Sequence, residues 1–469
     1  MSDRKLKTRF APSPTGFMHL GNARTALFNA LRAHGGGGDF LLRIEDTDAE
    51  RSRPEFQQAL EEDLRWLGLE WREGPTVSGA HAPYCQSERG EVYEQLFERL
   101  SAAGHAYPCF CSDEELERSR SRQRAAGRAP RYSGKCRNLS AEEVQARLAE
   151  GLSPTLRFRV ERGERIEFHD LVRGPQSFAS DDIGDFIIRR QDGSPAFFFS
   201  NAVDDALMEV TEVWRGEDHL TNTPRQLMIL RALELDAPAY AHIALIVGAD
   251  GAPLSKRHGS RSVRELRAAG YLPAAIVNYL ARLGHGYEQE GLLPYAELAR
   301  GFDPQRLNRS PARYDAHHLL HWQHQAVAAA SSEELWNWFG QEVAELVPAA
   351  QREAFVAAVL PNISFPEQAR DWARVVFCDP LNLDDEAREA VAEAGSAFFT
   401  EALSVLEAHG VDYAAFTGAL KERTGAKGKR LFQPLRSALT GALGGPELAK
   451  LLPLLGAERV ERRLRACLP

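Results

Sequence analysis

The stretch TRFAPSPTGFMHLGNARTALFNALRAHGGGGDFLLRIEDTD, from Thr8 to Asp48, constrains the fold more than any other part of the chain. Residues 6–13 read as a strand. From Ala23, apolar side chains recur at Ala26, Leu27, Ala30 and Leu31, the spacing of one helical face. The glycine run at 35–38 stops that helix, and DFLLRIEDTD reads as a second apolar strand that ends in acids. Strand, turn, helix, strand is a βαβ unit. It predicts a parallel sheet that takes ligands at the carboxyl ends of its strands.

A chain of 469 residues is too long for one core, so three or more units are expected. No apolar run approaches the roughly 20 residues that a bilayer crossing needs, and the opening MSDRKLKTRF is charged. Six cysteines in such a length do not suggest a disulfide scaffold, and a cytoplasmic, reduced protein is the expectation. The net charge of −9 argues mildly against nucleic acid as a bulk partner. Local patches matter more, and arginine is dense at 118–137, 257–267, 423–436 and 459–465. Each of these, taken alone, also fits a solvated helix face.

Between 75 and 195 the regular alternation breaks, and this stretch reads as an insertion between halves of the first domain. ALMEVTEVWRGEDHL and AHIALIVGADGAPLSKRHG restore strand character, each ending in a polar cluster. Beyond about residue 260 nearly everything reads helical, with Leu/Ala periodicity to the end.

The turn between the first strand and first helix holds two prolines, Gly16, Gly21 and His19. Its glycines let backbone approach a ligand, and the helix start offers free N–H groups and a positive dipole end. His19 beside them can donate to a phosphate oxygen. The second cluster is PLSKRHGS at 253–260, a cationic loop whose Lys256 can cover a triphosphate. Each cluster alone equally fits a structural histidine or a solvated basic loop. Together, HLGN and PLSKR resemble the HIGH and KMSKS signatures of class I aminoacyl-tRNA synthetases. TRFAPSPTGFMHLGNARTALFNAL, LLRIEDTDAERS, YCQSERGEVYEQL, NAVDDALMEVTEVWRGEDHLTNTPRQ and LSKRHGS narrow the resemblance to bacterial glutamyl-tRNA synthetases, in order and over essentially the whole chain.

That resemblance implies an α/β fold: a Rossmann-like parallel-sheet catalytic domain with an α+β insertion, followed by all-α stem-contact and anticodon-binding domains. The expected boundaries are 1–78 and 195–250 for the two catalytic halves and 79–194 for the acceptor-binding insertion. A stem-contact region with the cationic loop is expected at 251–320, and two helical anticodon-binding units at 321–380 and 381–469. The implied activity is glutamate–tRNA ligase, acting as a monomer on ATP, L-glutamate and tRNA(Glu), with magnesium carried by ATP. An enzyme that also or instead charges tRNA(Gln) is the alternative within the family. Small-molecule adenylate-forming nucleotidyltransferases share the histidine turn but lack the helical appendage, and a catalytically dead tRNA-binding module would have no need of intact Arg9, His19 and Lys256.

By the same resemblance, His19 and Lys256 are catalytic, and Gly16, His19, Gly21, Asn22, Ser255, Lys256 and Arg257 bind ATP. Arg9, Ala11, Ser13, Glu45, Phe197 and Arg215 form the amino-acid pocket, with Arg9 on the side-chain carboxylate and Glu45 facing the ammonium. Two departures stand out: Phe197 replaces a tyrosine, and Pro253 replaces a lysine that often opens the cationic motif. Cys109, Cys111 and Cys136 resemble the zinc ligands of the family's insertion. The usual fourth ligand, a histidine, is here Asn138. Tyr132 matches the pattern of the truncated glutamyl-Q tRNA(Asp) synthetases, so zinc on three cysteines and Tyr132 stands against a metal-free knuckle held by packing.

Overall fold

The computed structural model describes residues 4–48, 50–254 and 261–469. Ser255, Lys256 and Arg257, expected at the ATP site, lie outside the described residues. The chain forms two compact units, one of residues 1–268 and 276–319, the other of residues 269–275 and 320–469.

The first unit is built on a six-stranded sheet. Its strands are β1 (Lys7–Phe10), β2 (Asp39–Leu42), β5 (Arg165–Asp170), β6 (Gly174–Ala179), β8 (Glu212–Gly216) and β9 (Ala239–Ile243), in the order β2-β1-β8-β9-β5-β6. All neighbours are parallel except the antiparallel edge pair β5 and β6. All of β1 is buried, as a parallel strand covered on both faces must be. The βαβ reading of the opening stretch is realised, with the first helix at Leu20–Gly35 leading to β2. Gly38 lets the chain turn tightly into β2, because a Cβ there would stand 2.2 Å from the Leu6 carbonyl oxygen. From β1 the chain moves to β2 on one side, while β8 flanks it on the other. The crevice beyond the carboxyl ends of β1 and β8 is therefore the switch point where such sheets take ligands.

Strands β3 (Ala106–Cys109), β4 (Thr155–Phe158) and β7 (Phe186–Arg189) form a separate antiparallel sheet within the segment 79–194. That segment is not wholly an insertion, because the β5–β6 hairpin inside it joins the main sheet beside β9. The alternation of RIEFHD is the same for an inserted hairpin and for a sheet edge, and only the pairing partner separates them. Phe97, Phe158, Phe186 and Phe199 share one apolar cluster with Ile229 and Leu233, so the small sheet packs onto helices of the catalytic half. The Phe97 and Phe199 rings stack at 4.2 Å.

The second unit is helical, with helices at Pro366–Phe377, Asp385–His409, Tyr413–Thr424, Lys429–Thr440 and Leu448–Arg465 among them. Val327, Phe355, Val376, Phe399, Leu435 and Leu464 belong to one continuous core, so the stretches 321–380 and 381–469 do not have separate interiors. The buried Arg463 guanidinium joins them. It donates to the carbonyls of Leu439 (2.6 Å), Val375 (2.7 Å) and Cys378 (2.9 Å), and pairs with Asp379 at 3.2 Å. The Leu/Ala periodicity locates the helices but carries no sign of this cross-link.

Candidate active site and metal centre

His19 ends the opening turn as the N-cap of the first helix. Its Nδ1 accepts from the backbone N–H of Gly21 (3.1 Å) and of Asn22 (3.4 Å). An accepting Nδ1 carries no proton, so the neutral ring holds its proton on Nε2. Partial burial pulls the histidine below its ordinary range, and the positive helix end works in the same direction. Gly21 is a glycine for space, since a Cβ there would lie 3.0 Å from His19 Cε1. Described residues on either side of 255–260 are tied down. Leu254 N–H donates to the Ile246 carbonyl at 3.0 Å, and Ser262 bridges His19, with Val263 N–H on the Met18 carbonyl at 2.9 Å.

Below the turn lies a buried ionic cluster. Arg9, at the end of β1, forks onto Asp205 through Nε (3.0 Å) and Nη2 (3.3 Å). Arg43 reaches the same carboxylate at 2.7 Å and Glu45 at 3.1 Å. Burial pushes Asp205 up, but Arg43 and Arg9 outweigh it and hold the carboxyl below its usual range. For Glu45 the balance reverses, and burial lifts it despite Arg43 and the Asn201 amide at 2.6 Å. Two carboxylates sharing one arginine are thus driven apart.

Arg215, at the end of β8, is buried with only neutral partners among the described residues. Nε donates to His242 Nε2 (3.0 Å), Nη2 to Gln226 (2.6 Å) and Thr223 (2.8 Å), and Nη1 to Asn201 at 3.4 Å. Burial draws its pKa down to about 10. A buried guanidinium without a carboxylate is a standing site for an anion.

These groups line one cleft of about 410 Å³ at the switch point. Arg9, Ala11, Ser13, His19, Gly21, Asn22, Glu45, Phe197 and Arg215 all lie on it, whereas Gly16 does not. The Phe197 ring sits 5.4 Å from His219 at the wall. Asn201, also on the cleft, and Asp205 and His242 behind it were not singled out by sequence reasoning. Asp205 looks like an ordinary acid on the helix Phe197–Leu207, and His242 like a core histidine in an apolar strand.

Residues 5–321 match the family described as tRNA synthetases class I (E and Q), catalytic domain, and residues 327–468 match the anticodon binding domain family. Glutamate–tRNA ligase 2 of Nitrosococcus oceani is 60% identical over 467 residues, covering 100% of this chain and 99% of that protein. The chain belongs to the class I glutamyl-tRNA synthetase family. Glutamate–tRNA ligase 1 of Halorhodospira halophila is 57% identical, over 99% of this chain and 97% of its own. The fold matches the crystal structure of a glutamate tRNA ligase from Elizabethkingia meningosepticum in complex with its amino acid, with a TM-score of 0.91, 29% identity and 99% coverage of both chains. Among the described residues no helix is long and apolar enough to cross a membrane.

In this glutamyl-tRNA synthetase family member the sulfurs of Cys109, Cys111 and Cys136 lie within 4.8 Å of one another, a group that can hold a metal ion. Cys111 and Cys136 are 3.7 Å apart at sulfur. That matches the roughly 3.8 Å separation set by tetrahedral bonds of about 2.3 Å to zinc. The Tyr132 hydroxyl stands 3.3 Å from the Cys109 sulfur and 3.5 Å from that of Cys111, while accepting from the Cys136 N–H at 2.9 Å. The Arg157 guanidinium covers the Tyr132 ring at 3.8 Å. Asn138 is exposed to solvent.

Proposed function

We propose that this chain is a glutamate–tRNA ligase that forms glutamyl-adenylate from L-glutamate and ATP and passes the glutamyl group to the 3′ end of tRNA(Glu). The observation that carries the reading is the buried Arg215, which has no carboxylate partner among the described residues, beside Glu45 and the His19 cap in one cleft. A cleft with a spare cation for a carboxylate and a raised carboxylate for an ammonium suits an acidic amino acid.

In the first step an α-carboxylate oxygen of glutamate attacks the α-phosphorus of ATP, and the bond to pyrophosphate breaks. In the second the terminal ribose hydroxyl of tRNA attacks the mixed anhydride, and AMP leaves. No protein nucleophile is required, and catalysis comes from positioning and charge stabilisation. His19 donates Nε2–H to a phosphate oxygen, its ring held by the N–H groups of Gly21 and Asn22 on Nδ1. Lys256, the lysine of the PLSKRHGS motif, covers the leaving pyrophosphate with its ammonium. Ser255 and Arg257 assist it. Magnesium enters with the phosphates of ATP. Arg9, Ala11 and Ser13 meet the glutamate side chain, and Phe197 offers an apolar wall without the hydroxyl of a tyrosine.

Zinc on Cys109, Cys111, Cys136 and Tyr132 would cross-link the insertion, far more a structural than a chemical contribution. Elemental analysis of the purified protein is expected to find one zinc per chain. Tyr132→Phe should weaken metal retention against a chelator by about tenfold or more, and Cys111→Ser should abolish it. Equal retention by all three proteins would remove Tyr132 and Cys111 from the ligand set.

Glutamate-dependent pyrophosphate exchange, run with no tRNA, with tRNA(Glu) and with tRNA(Gln), tests the activity. Exchange that needs tRNA(Glu) is the expected result. Exchange supported equally by tRNA(Gln) would mark a non-discriminating enzyme, and exchange indifferent to tRNA would point to a small-molecule adenylate former.

A further inference from the structure

Behind the cleft, three side chains on adjacent strands form a relay. Arg215 on β8 and His242 on β9 are paired in register, and Asp170 ends the next strand, β5. Asp170 and His242 are fully buried. Asp170 Oδ2 stands 2.5 Å from His242 Nδ1, and Oδ1 accepts from the backbone N–H of Val172 (3.0 Å), Arg173 (2.8 Å) and His242 (3.2 Å). An ionised Asp170 can only accept, so His242 carries its proton on Nδ1 and turns a lone pair at Nε2 toward Arg215. The tautomer is set from behind.

Arg215 has five N–H groups. One goes to His242, two to Gln226 and Thr223, and one weakly to Asn201, leaving one Nη1 hydrogen with no partner among the described residues and the guanidinium on the cleft wall. A carboxylate in direct contact with Arg215 would compete with any acidic ligand. Here the imidazole separates the two charges.

We propose that Asp170 and His242 are positioning residues for Arg215, a neutral imidazole spacer that orients the guanidinium while keeping Asp170 off it, so that the amino acid's carboxylate becomes its direct anionic partner. This rests on the glutamate reading of the cleft. The Asp170→Asn change has a forced outcome. Three backbone N–H groups hold the amide oxygen at the Oδ1 position, so the amide NH2 faces His242 Nδ1 and drives the proton to Nε2. Two donors, His242 Nε2–H and Arg215 Nε–H, then oppose each other.

The test measures KM for glutamate, KM for ATP and kcat separately in the tRNA-dependent exchange assay. Asp170→Asn should raise the glutamate KM by about 10- to 100-fold and leave the ATP KM and kcat within about twofold. His242→Leu should behave likewise. His242→Gln, whose amide can donate to Asp170 and accept from Arg215, should stay within about threefold of wild type. A parallel rise in both KM values, an unchanged glutamate KM, or equal damage from His242→Gln and His242→Leu overturns the proposal. If Asp170→Asn does not fold, the two His242 variants decide it. Absence of any glutamate-dependent exchange in the wild-type arm would instead sink the functional reading itself.

Discussion

Asp205→Asn is expected to lower the stability of the first unit by about 3–5 kcal/mol, with little change in side-chain shape. The carboxylate pairs with Arg9 and Arg43 at once, and all three groups are almost wholly buried. Desolvating these charges is already costly. The mutual attraction offsets that cost only while the acid is ionised. An asparagine leaves Arg9 facing a neutral amide and Arg43 with Glu45 alone. Thermal or denaturant melts should show a fall in Tm on the order of 10 °C. The pH dependence has a definite sign. Asp205 has its folded pKa held below the ordinary value, so its contribution is complete above the usual carboxylate range and disappears as pH falls toward the folded pKa. The variant should lack that part of the acid limb. A variant as stable as wild type, with the same acid limb, would show that Arg9 and Arg43 are held by other means.

His19→Ala should lose two things that a second variant can separate. The cap on Gly21 and Asn22 is worth roughly 0.5–2 kcal/mol of stability. The Nε2–H donor aimed at a phosphate should be worth about 100- to 1,000-fold in kcat for adenylate formation. Asparagine is as good an N-cap as any residue, but its side chain ends near the cap and offers no donor where Nε2 stands. His19→Asn is therefore expected to melt near the wild-type temperature while remaining as slow as His19→Ala. If asparagine restored the rate as well as the stability, His19 would be a capping residue only.

Much of this site is legible in the sequence because its members end strands. Glu45 and Arg215 each follow an apolar run, Arg9 precedes the Pro12–Pro14 break, and a parallel sheet gathers such positions at one edge. His19 alone reads equally as a structural histidine, and it becomes legible only when HLGN is paired with PLSKR. The groups that hold them are not legible. Asp205 lies on a helix that also buries Phe199, Ala202 and Val203, and its partners stand about 160 and 200 residues earlier in the chain. Local pattern carries no sign of a contact over that separation. The same holds for the β5–β6 hairpin, whose alternation fits an insertion as well as a sheet edge, and for Arg463, which looks like one more charge in a basic helix.

Arg463 has a consequence for how such a chain can be inherited. Its guanidinium takes carbonyls from the segments 375–378 and 439, on both sides of residue 380. A cut there would strand a buried cation and three carbonyls, and would open a core that runs through both sides. Recombination that keeps this interior intact must therefore carry residues 320–469 whole, together with the segment 269–275 that packs with them.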